Sequence, residues 1–347
     1  MPLGCARTAV LTFALSTLAA TAAPAAAGDA EAFYRGRTIT LQIGYAPGGG
    51  YDVYARQLAR HYGRFIPGQP SVVTQNVPGA GSLKLANAIY GAAPRDGTVI
   101  GAIGREQITA PLFKVPGAQF DATKVNWIGN LDRAASLAVA WHAAPFATIA
   151  DAREREMVVG GTGPASTTVV LPTAFNRLLG YKFKVIAGYP GGGDVTLALE
   201  RGEVQGRFSW SYASIMSTRP DWIRDGKIRP LAASAFERLP EAPDVPTVIE
   251  LAEREHDKQV IALILAGDVL ARPFMAPPEL PPERLSALRD AFSATVRDPQ
   301  FLAEAKQQKL ELDPMDWREM TDTIARIYAT PASVVEATMT IIQTAAR

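Results

Sequence analysis

With 347 residues, 48% of them hydrophobic and 20% charged, the chain has the make-up of a globular protein long enough for two domains. Its 35 basic and 34 acidic residues nearly cancel, so no whole-molecule field draws it to nucleic acid or an anionic membrane, and any anion has to be recognised locally. One cysteine and three histidines argue against a disulfide scaffold and against a cysteine–histidine metal cluster.

The first 27 residues read as a secretory leader. Arg7 is their only charge, an apolar run follows from Ala9 to Ala20, and small residues at Ala25 and Ala27 precede Gly28 and Asp29. That run is short for a membrane span. Cys5 lies before it, so a lipid-modified terminus is not expected. Cleavage after Ala27 removes the only cysteine and one base, leaving 34 bases and 34 acids in an exported chain.

Residues 38–43 read as a strand and 52–62 as the following helix, with Asp52 as its N-cap and Arg56 one turn later. A strand over 71–74 leads into Asn-Val-Pro-Gly-Ala-Gly-Ser at 76–82 and a helix ending near Tyr90; a third strand covers 98–103. Between Trp127 and Trp141 the pattern changes, then it restarts. A strand over 157–160 runs into Gly-Thr-Gly-Pro-Ala-Ser-Thr-Thr and a helix through Leu179. Another strand, 183–187, precedes a helix ending near Glu200, and 206–210 and 228–233 read as further strands. The proline-rich piece 239–246 is a loop, and beyond the apolar 260–265 the chain reads as helical over 281–296, 299–309 and 316–344. Strands alternating with helices at this spacing indicate two α/β units of parallel strands, with a helical tail that has no strands of its own and packs on one of them.

Each unit carries a three-glycine turn between a strand and a helix: YAPGGGYDV at 45–53 and YPGGGDV at 189–195. The first N–H groups of a helix lack intrahelical partners and sit at the positive end of its dipole, which suits an anion. Neither turn is followed by the Lys-Ser/Thr of a phosphate loop, and neither matches G-x-G-x-x-G, so a nucleotide is disfavoured. Catalytic signals are sparse. His61, His142 and His256 are isolated, with His61 expected on a solvated helix face beside Arg60, and Ser166, Ser209 and Ser211 lack a G-x-S-x-G elbow. Arg105, Arg133 and Arg207 follow or interrupt apolar segments, where each needs either an acidic partner or a ligand carboxylate. Tyr51, Trp210 and Tyr212 stand beside the turns as walls for an apolar ligand body or as core.

The blocks YAPGGGYDVYARQLA, QNVPGAGSLKLAN, AAPRDGTVIG, GTGPASTT, YPGGGDVTLALERGEVQG and PLAASAFERLPEAPDVPTVIE, in this order after an export signal, resemble the tripartite tricarboxylate transporter receptors, the Bug family. The resemblance spans the exported chain. It implies an α/β periplasmic binding protein fold, with domain 1 formed by 28–130 and 255–347, domain 2 by 131–254, and a ligand cleft between them. The implied ligand is a small carboxylate, handed to membrane transporter subunits by a monomer without cofactor, metal or membrane insertion. Carried over by position, the first loop supplies Ala46, Pro47, Gly48, Gly49, Gly50, Tyr51 and Asp52, with Gly79, Ala80 and Gly81 beside it; Arg105 joins the candidate ligand contacts on its own reading as a guanidinium after an apolar segment. The second domain supplies Thr162, Gly163, Ser166 and Thr167, then Gly191, Gly192, Gly193 and Asp194, with Arg207 and Ser209 on the next strand.

Three positions depart from the family's usual pattern. Tyr51 stands where a small or hydroxyl residue is usual, Pro190 replaces a lysine, and Ser209 stands where aspartate is common. Losing that acid beside Arg207 favours an anionic or uncharged ligand tail over an amine, and two facing anion loops suit a compact diacid. Readings from other classes are a secreted α/β hydrolase or transferase using a nucleophile such as Ser166, and a ligand-sensing partner of a membrane signalling protein.

Overall fold

The computed structural model describes residues 25–133 and 135–345 together with Met1. The expected leader therefore lies outside the described residues, except for Met1 and residues 25–27, which open the first helix.

In chain order the first unit runs α1 (Ala25–Tyr34), β1 (Thr38–Ile43), α2 (Gly50–Tyr62), β2 (Ser71–Asn76), α3 (Leu83–Gly91), β3 (Val99–Ala102) and β4 (Asn126–Asn130). The second runs β5 (Ser136–Trp141), α4 (Asp151–Glu154), β6 (Met157–Gly160), α5 (Thr167–Leu179), β7 (Phe183–Ile186), α6 (Gly192–Glu200), β8 (Gly206–Ser211), α7 (Tyr212–Thr218) and β9 (Ile228–Ser234). The remainder is α8 (Glu255–Leu265), β10 (Pro273–Ala276), α9 (Pro282–Thr295), α10 (Pro299–Gln307), β11 (Met315–Asp316), α11 (Trp317–Tyr328) and α12 (Ala332–Ala345). No helix among the described residues is long and apolar enough to cross a membrane.

Two sheets result, in the orders β11-β4-β10-β3-β1-β2 and β7-β6-β8-β5-β9. The chain passes from the first to the second between β4 and β5 and returns between β9 and β10. β1 lies parallel to β2 and β3, and β6 lies parallel to β7 and β8, as the alternation of strands and helices predicts. The crossing strands add antiparallel pairs: β10 sits between β3 and β4, and β5 between β8 and β9.

Local sequence explains the placement of the glycine turns. In β1, Ile39, Leu41 and Ile43 are fully buried while Thr40 and Gln42 are only partly covered, the two-residue period of a strand. Tyr54, Leu58 and Tyr62 recur every four residues along α2 and bury one stripe of it. With strand and helix both committed to the core, the intervening glycines are held at the carboxyl end of β1. The same logic holds for β6 with α5 and for β7 with α6.

Three expectations are corrected here. The tail contains strands, β10 and β11, whose four and two residues are too few to show alternation in sequence. It also does not pack on one unit: α9 and α11 lie on β4, whereas α12 lies against α5 and α8. The helix read over 316–344 breaks at Pro331, which has no N–H to give the preceding turn. Finally, His61 is only 2% exposed. Its Nε2 sits 2.8 Å from Glu304 Oε2 on α10 and its ring packs edge-on against Phe301, so it fixes one helix to another.

Candidate functional site

Three helices begin at one cleft. The N-terminal residues of α2 (Gly49, Gly50), α5 (Ser166, Thr167) and α6 (Gly192) all line a narrow cavity of about 50 Å³, room for a few water molecules. The N-caps are Gly49, Ser166 and Gly191, so Asp52 is not the cap of α2 but its third residue. The two glycine loops meet directly. Ala46 N–H donates to Pro190 O at 3.3 Å, and a Cβ on Gly49 would lie 3.4 Å from Gly192 N. Beside them a Cβ on Gly163 would overlap the Gly81 backbone, so glycine is what allows the chain after β6 to touch the chain after β2.

Three buried guanidiniums reach this cleft from three elements. Arg105, in the 3₁₀ turn after β3, has its Nε 2.8 Å from Asp268 Oδ1 and donates to Ser136 Oγ and Thr167 Oγ1, each at 3.2 Å, in the second unit. Arg207 on β8 donates from Nη1 to Gly192 O at 2.9 Å and lies 4.6 Å over the Trp210 ring. Arg272, just before β10, donates from Nη2 to Ser214 Oγ at 2.6 Å and lies 4.7 Å over Tyr51. Burial, with Arg105 nearby, depresses the Arg207 guanidinium to about 9. Against these stand two acids. Glu106 accepts from the Tyr45 hydroxyl at 2.7 Å and is raised by burial. Asp268 is pushed up to about 7 by burial, which outweighs the pull of Arg105. Hydroxyls complete the wall: Thr162 N–H donates to Thr168 Oγ1 at 3.0 Å, and Ser166 Oγ sits 2.6 Å from the same oxygen.

The sequence-derived site residues sort into three groups. Gly49, Gly50, Tyr51, Arg105 and Gly192 line the cleft, as do Thr162, Ser166, Thr167, Arg207 and Ser209. Arg207 and Ser209 both face it as strand alternation suggested, but a bulge opposite Leu137–Val139, with Ser209 at φ +50°, brings Trp210 to the wall as well. Ala46, Pro47, Gly48, Gly191 and Gly193 form the contact between the loops, and Gly81 with Gly163 the contact beside it; Gly79 and Ala80 shape that turn with φ of 149° and 49°. Asp52 and Asp194 do not line the cleft. Asp52 accepts from Gly48 N–H, Arg56 Nε and Asn76 Nδ2 at 2.9–3.0 Å, so it braces the loop.

Tyr51 does not offer a free face to a ligand. It stacks on Tyr45 at 4.5 Å, carries Arg272, and its hydroxyl accepts the Arg105 N–H at 3.1 Å. Arg133 pairs with Asp313 and Glu319 outside the cleft. None of the described histidines lines the cleft, so Ser166 has no imidazole beside it there. Sequence reasoning missed Glu106, Ser214 and Arg272. For Arg272 a signal was present, because it follows the apolar Val269, Leu270 and Ala271 just as Arg105 follows an apolar strand.

Comparison with known proteins extends this picture. The model of the tripartite tricarboxylate transporter family receptor matches residues 54–338. A protein of Cupriavidus necator described as "UPF0065 protein in gbd 5'region" is 27% identical over 316 residues, covering 86% of this chain and 87% of its own. The periplasmic binding protein BugD shares the fold with a TM-score of 0.69 at 19% identity, covering 90% of this chain and 98% of BugD. MatC from Rhodopseudomonas palustris, with bound malate, gives 0.67 at 18%, covering 88% and 99%. The architecture is thus that of two-domain periplasmic binding proteins. Because the family match spans most of the chain, with α5, α6 and all three cleft arginines inside it, the chain belongs to the tripartite tricarboxylate transporter receptor family.

Proposed function

We propose that this receptor, exported and freed of its leader after Ala27, captures a small carboxylate in the periplasm and presents it, as a monomer and without turnover, to the membrane subunits of its transporter. One observation carries the ligand class. Three helix N-termini and three guanidiniums converge on a cleft lined by a single acid among the described residues, Glu106, and both it and Asp268, which pairs with Arg105, are pushed toward their protonated forms. MatC, which has the same fold, holds malate. Domain 1 (28–130 and 255–347) and domain 2 (131–254) close by hinging where the chain crosses between sheets, and the touching glycine loops represent the closed arrangement. Calorimetric titration with mono-, di- and tricarboxylates is expected to find at least one that binds, and mass spectrometry of whatever co-purifies is expected to find an organic acid. Silence from every carboxylate, with binding of a neutral or cationic solute, would overturn the reading.

A further inference from the structure

We propose that Arg207 and Arg272 act as two separate charge selectors, one at each glycine loop, so that the receptor requires a ligand with two negative groups. The inference rests on the carboxylate reading above and narrows it to dianions.

The cleft's arginines are not equivalent. Arg105 has Asp268 as counter-ion, and Arg133 outside the cleft has two. Arg207 and Arg272 are 8% and 3% exposed, yet neither has a carboxylate oxygen within 4.0 Å among the described residues. The Nε of each also lacks a hydrogen-bond partner. A buried guanidinium without a counter-ion is strongly unfavourable, and the three positive charges repel one another besides. The contacts that hold the two arginines are aromatic faces, carbonyls and hydroxyls: Trp210, Gly192 O and Thr196 Oγ1 for Arg207, and Tyr51, Tyr54, Ala271 O and Ser214 Oγ for Arg272. They orient the guanidiniums and leave both without a directly paired carboxylate: no acid among the described residues acts on Arg207, and Asp132 and Asp268 act on Arg272 only from beyond ion-pair distance, which is the arrangement a ligand carboxylate completes.

Each arginine is also fitted to one loop. A Cβ on Gly192 would stand 2.7 Å from Arg207 Nη2, and one on Gly50 would stand 3.1 Å from Arg272 Nη2 and overlap Ser214 Oγ. At the first residue of α6 the guanidinium itself occupies the space a side chain would fill; at the first residue of α2 that space is taken by Ser214, which holds Arg272, with the guanidinium close beside it. A phosphate loop carries its lysine within the turn; here β8 and the segment before β10 each deliver an arginine to a turn that has none. One helix N-terminus with one guanidinium is a complete carboxylate site, and the cleft holds two of them close together. A short diacid spans that arrangement, one carboxylate at each loop.

The test pairs each dicarboxylate from malonate to adipate with its own monoamide and titrates both into wild-type protein, Arg207→Gln, Arg272→Gln and the control Arg133→Gln. In wild type and in Arg133→Gln the best diacid is expected to bind about 10- to 100-fold more tightly than its monoamide, the worth of a hydrogen-bonded charge. Each cleft variant should lose most of that preference, binding diacid and monoamide within about threefold of each other. Ligand-free Arg207→Gln and Arg272→Gln should melt no lower than wild type, since a buried charge has been removed. Should either fail to fold, Arg→Lys at that position must retain the diacid preference at reduced affinity, and its loss there counts against the proposal. A monoamide that matches its diacid in wild type, or cleft variants that weaken both ligands alike, would overturn the two-selector inference while leaving the carboxylate reading intact. If no diacid or monoamide binds wild type at all, both fall.

Discussion

The two glycine loops share a sequence and differ in what holds them. In the first, Asp52 ties Gly48 N–H to Arg56 and Asn76, and those two side chains also bond each other, with Arg56 reaching Thr74 on β2. Asn76 further anchors Tyr45 O at 2.8 Å, and Tyr45 stacks on Tyr51. In the second, Asp194 occupies the same third helical position, but its buried Oδ2 has no partner. Thr196 Oγ1 donates to Gly192 O within its own helix, Arg207 is the one side chain from another element bonded to that carbonyl among the described residues, and the loop's other ties are backbone bonds to Gly161, Thr162 and Ala46. The first loop is thus bolted by side chains to a neighbouring strand, and the second is held by backbone bonds, its own helix and one cation without a paired acid. A local motif sets the shape of an anion site, but its stiffness comes from residues outside the motif. The first loop is a preformed half-site, and the second is completed by the ligand.

The largest effect is expected where the two halves meet. Gly163→Ala places a Cβ on the Gly81 backbone, which cannot yield like the end of a side chain. It should weaken ligand binding by about 10- to 100-fold. The thermal midpoint should stay close to wild type, because each sheet keeps its own core. Wild-type affinity in calorimetry would show that binding does not require the two halves to touch. A smaller effect separates the loops themselves. Asp52→Ala leaves three donors short of a partner and should cost about 1–3 kcal/mol in urea unfolding. Asp194→Ala should stay within about 0.5 kcal/mol of wild type. Equal losses would erase the distinction between a bolted and a loose loop.

Much of this was legible in the sequence, and the remainder was hidden for a physical reason. Strand β1, the start of β6 and the end of α6 follow from two-residue and four-residue periods, and glycine marks the turns between them. The pairing of one loop per sheet followed from the repeated motif. What local pattern cannot show is partnership at a distance. His61 looked solvated because α10, which covers it, lies far along the chain. Arg105 was left open between an acidic partner and a ligand carboxylate, because Asp268, its partner, is on the return crossing. Arg272 matters through Gly50 and Ser214, neither of them its neighbour in sequence. Tyr51 looked like a ligand platform because nothing nearby in sequence revealed that Tyr45 and Arg272 already occupy it.

The smallest expected effect concerns pH and asks whether the bolted half also senses the ligand's charge. Asp268 lies 2.8 Å from Arg105, whose neighbour Glu106 is held by Tyr45. Burial raises Asp268 to about 7, Arg105 and Arg272 oppose the rise, and Glu106 adds to it. An anion entering the cleft raises it further, so binding takes up part of a proton. The sign follows from linkage. Far above the raised value Asp268 is ionised with or without ligand, and well below about 7 it is protonated in both states, so affinity changes only between. Affinity should therefore rise as pH falls from about 9 to about 6, by about threefold in all for half a unit of added shift, and then level until the ligand's own carboxylates protonate near about 4–5. Arg207, lowered to about 9, contributes in the same direction at the top of that range. Asp268→Asn separates the two, because it removes the rise between about 8 and 6 and leaves any change above about 8. An unaltered slope in that variant, or no proton uptake when titrations are repeated in buffers of different ionisation heat, would place Asp268 outside the ligand's electrostatic reach and confine charge sensing to the two arginines at the glycine turns.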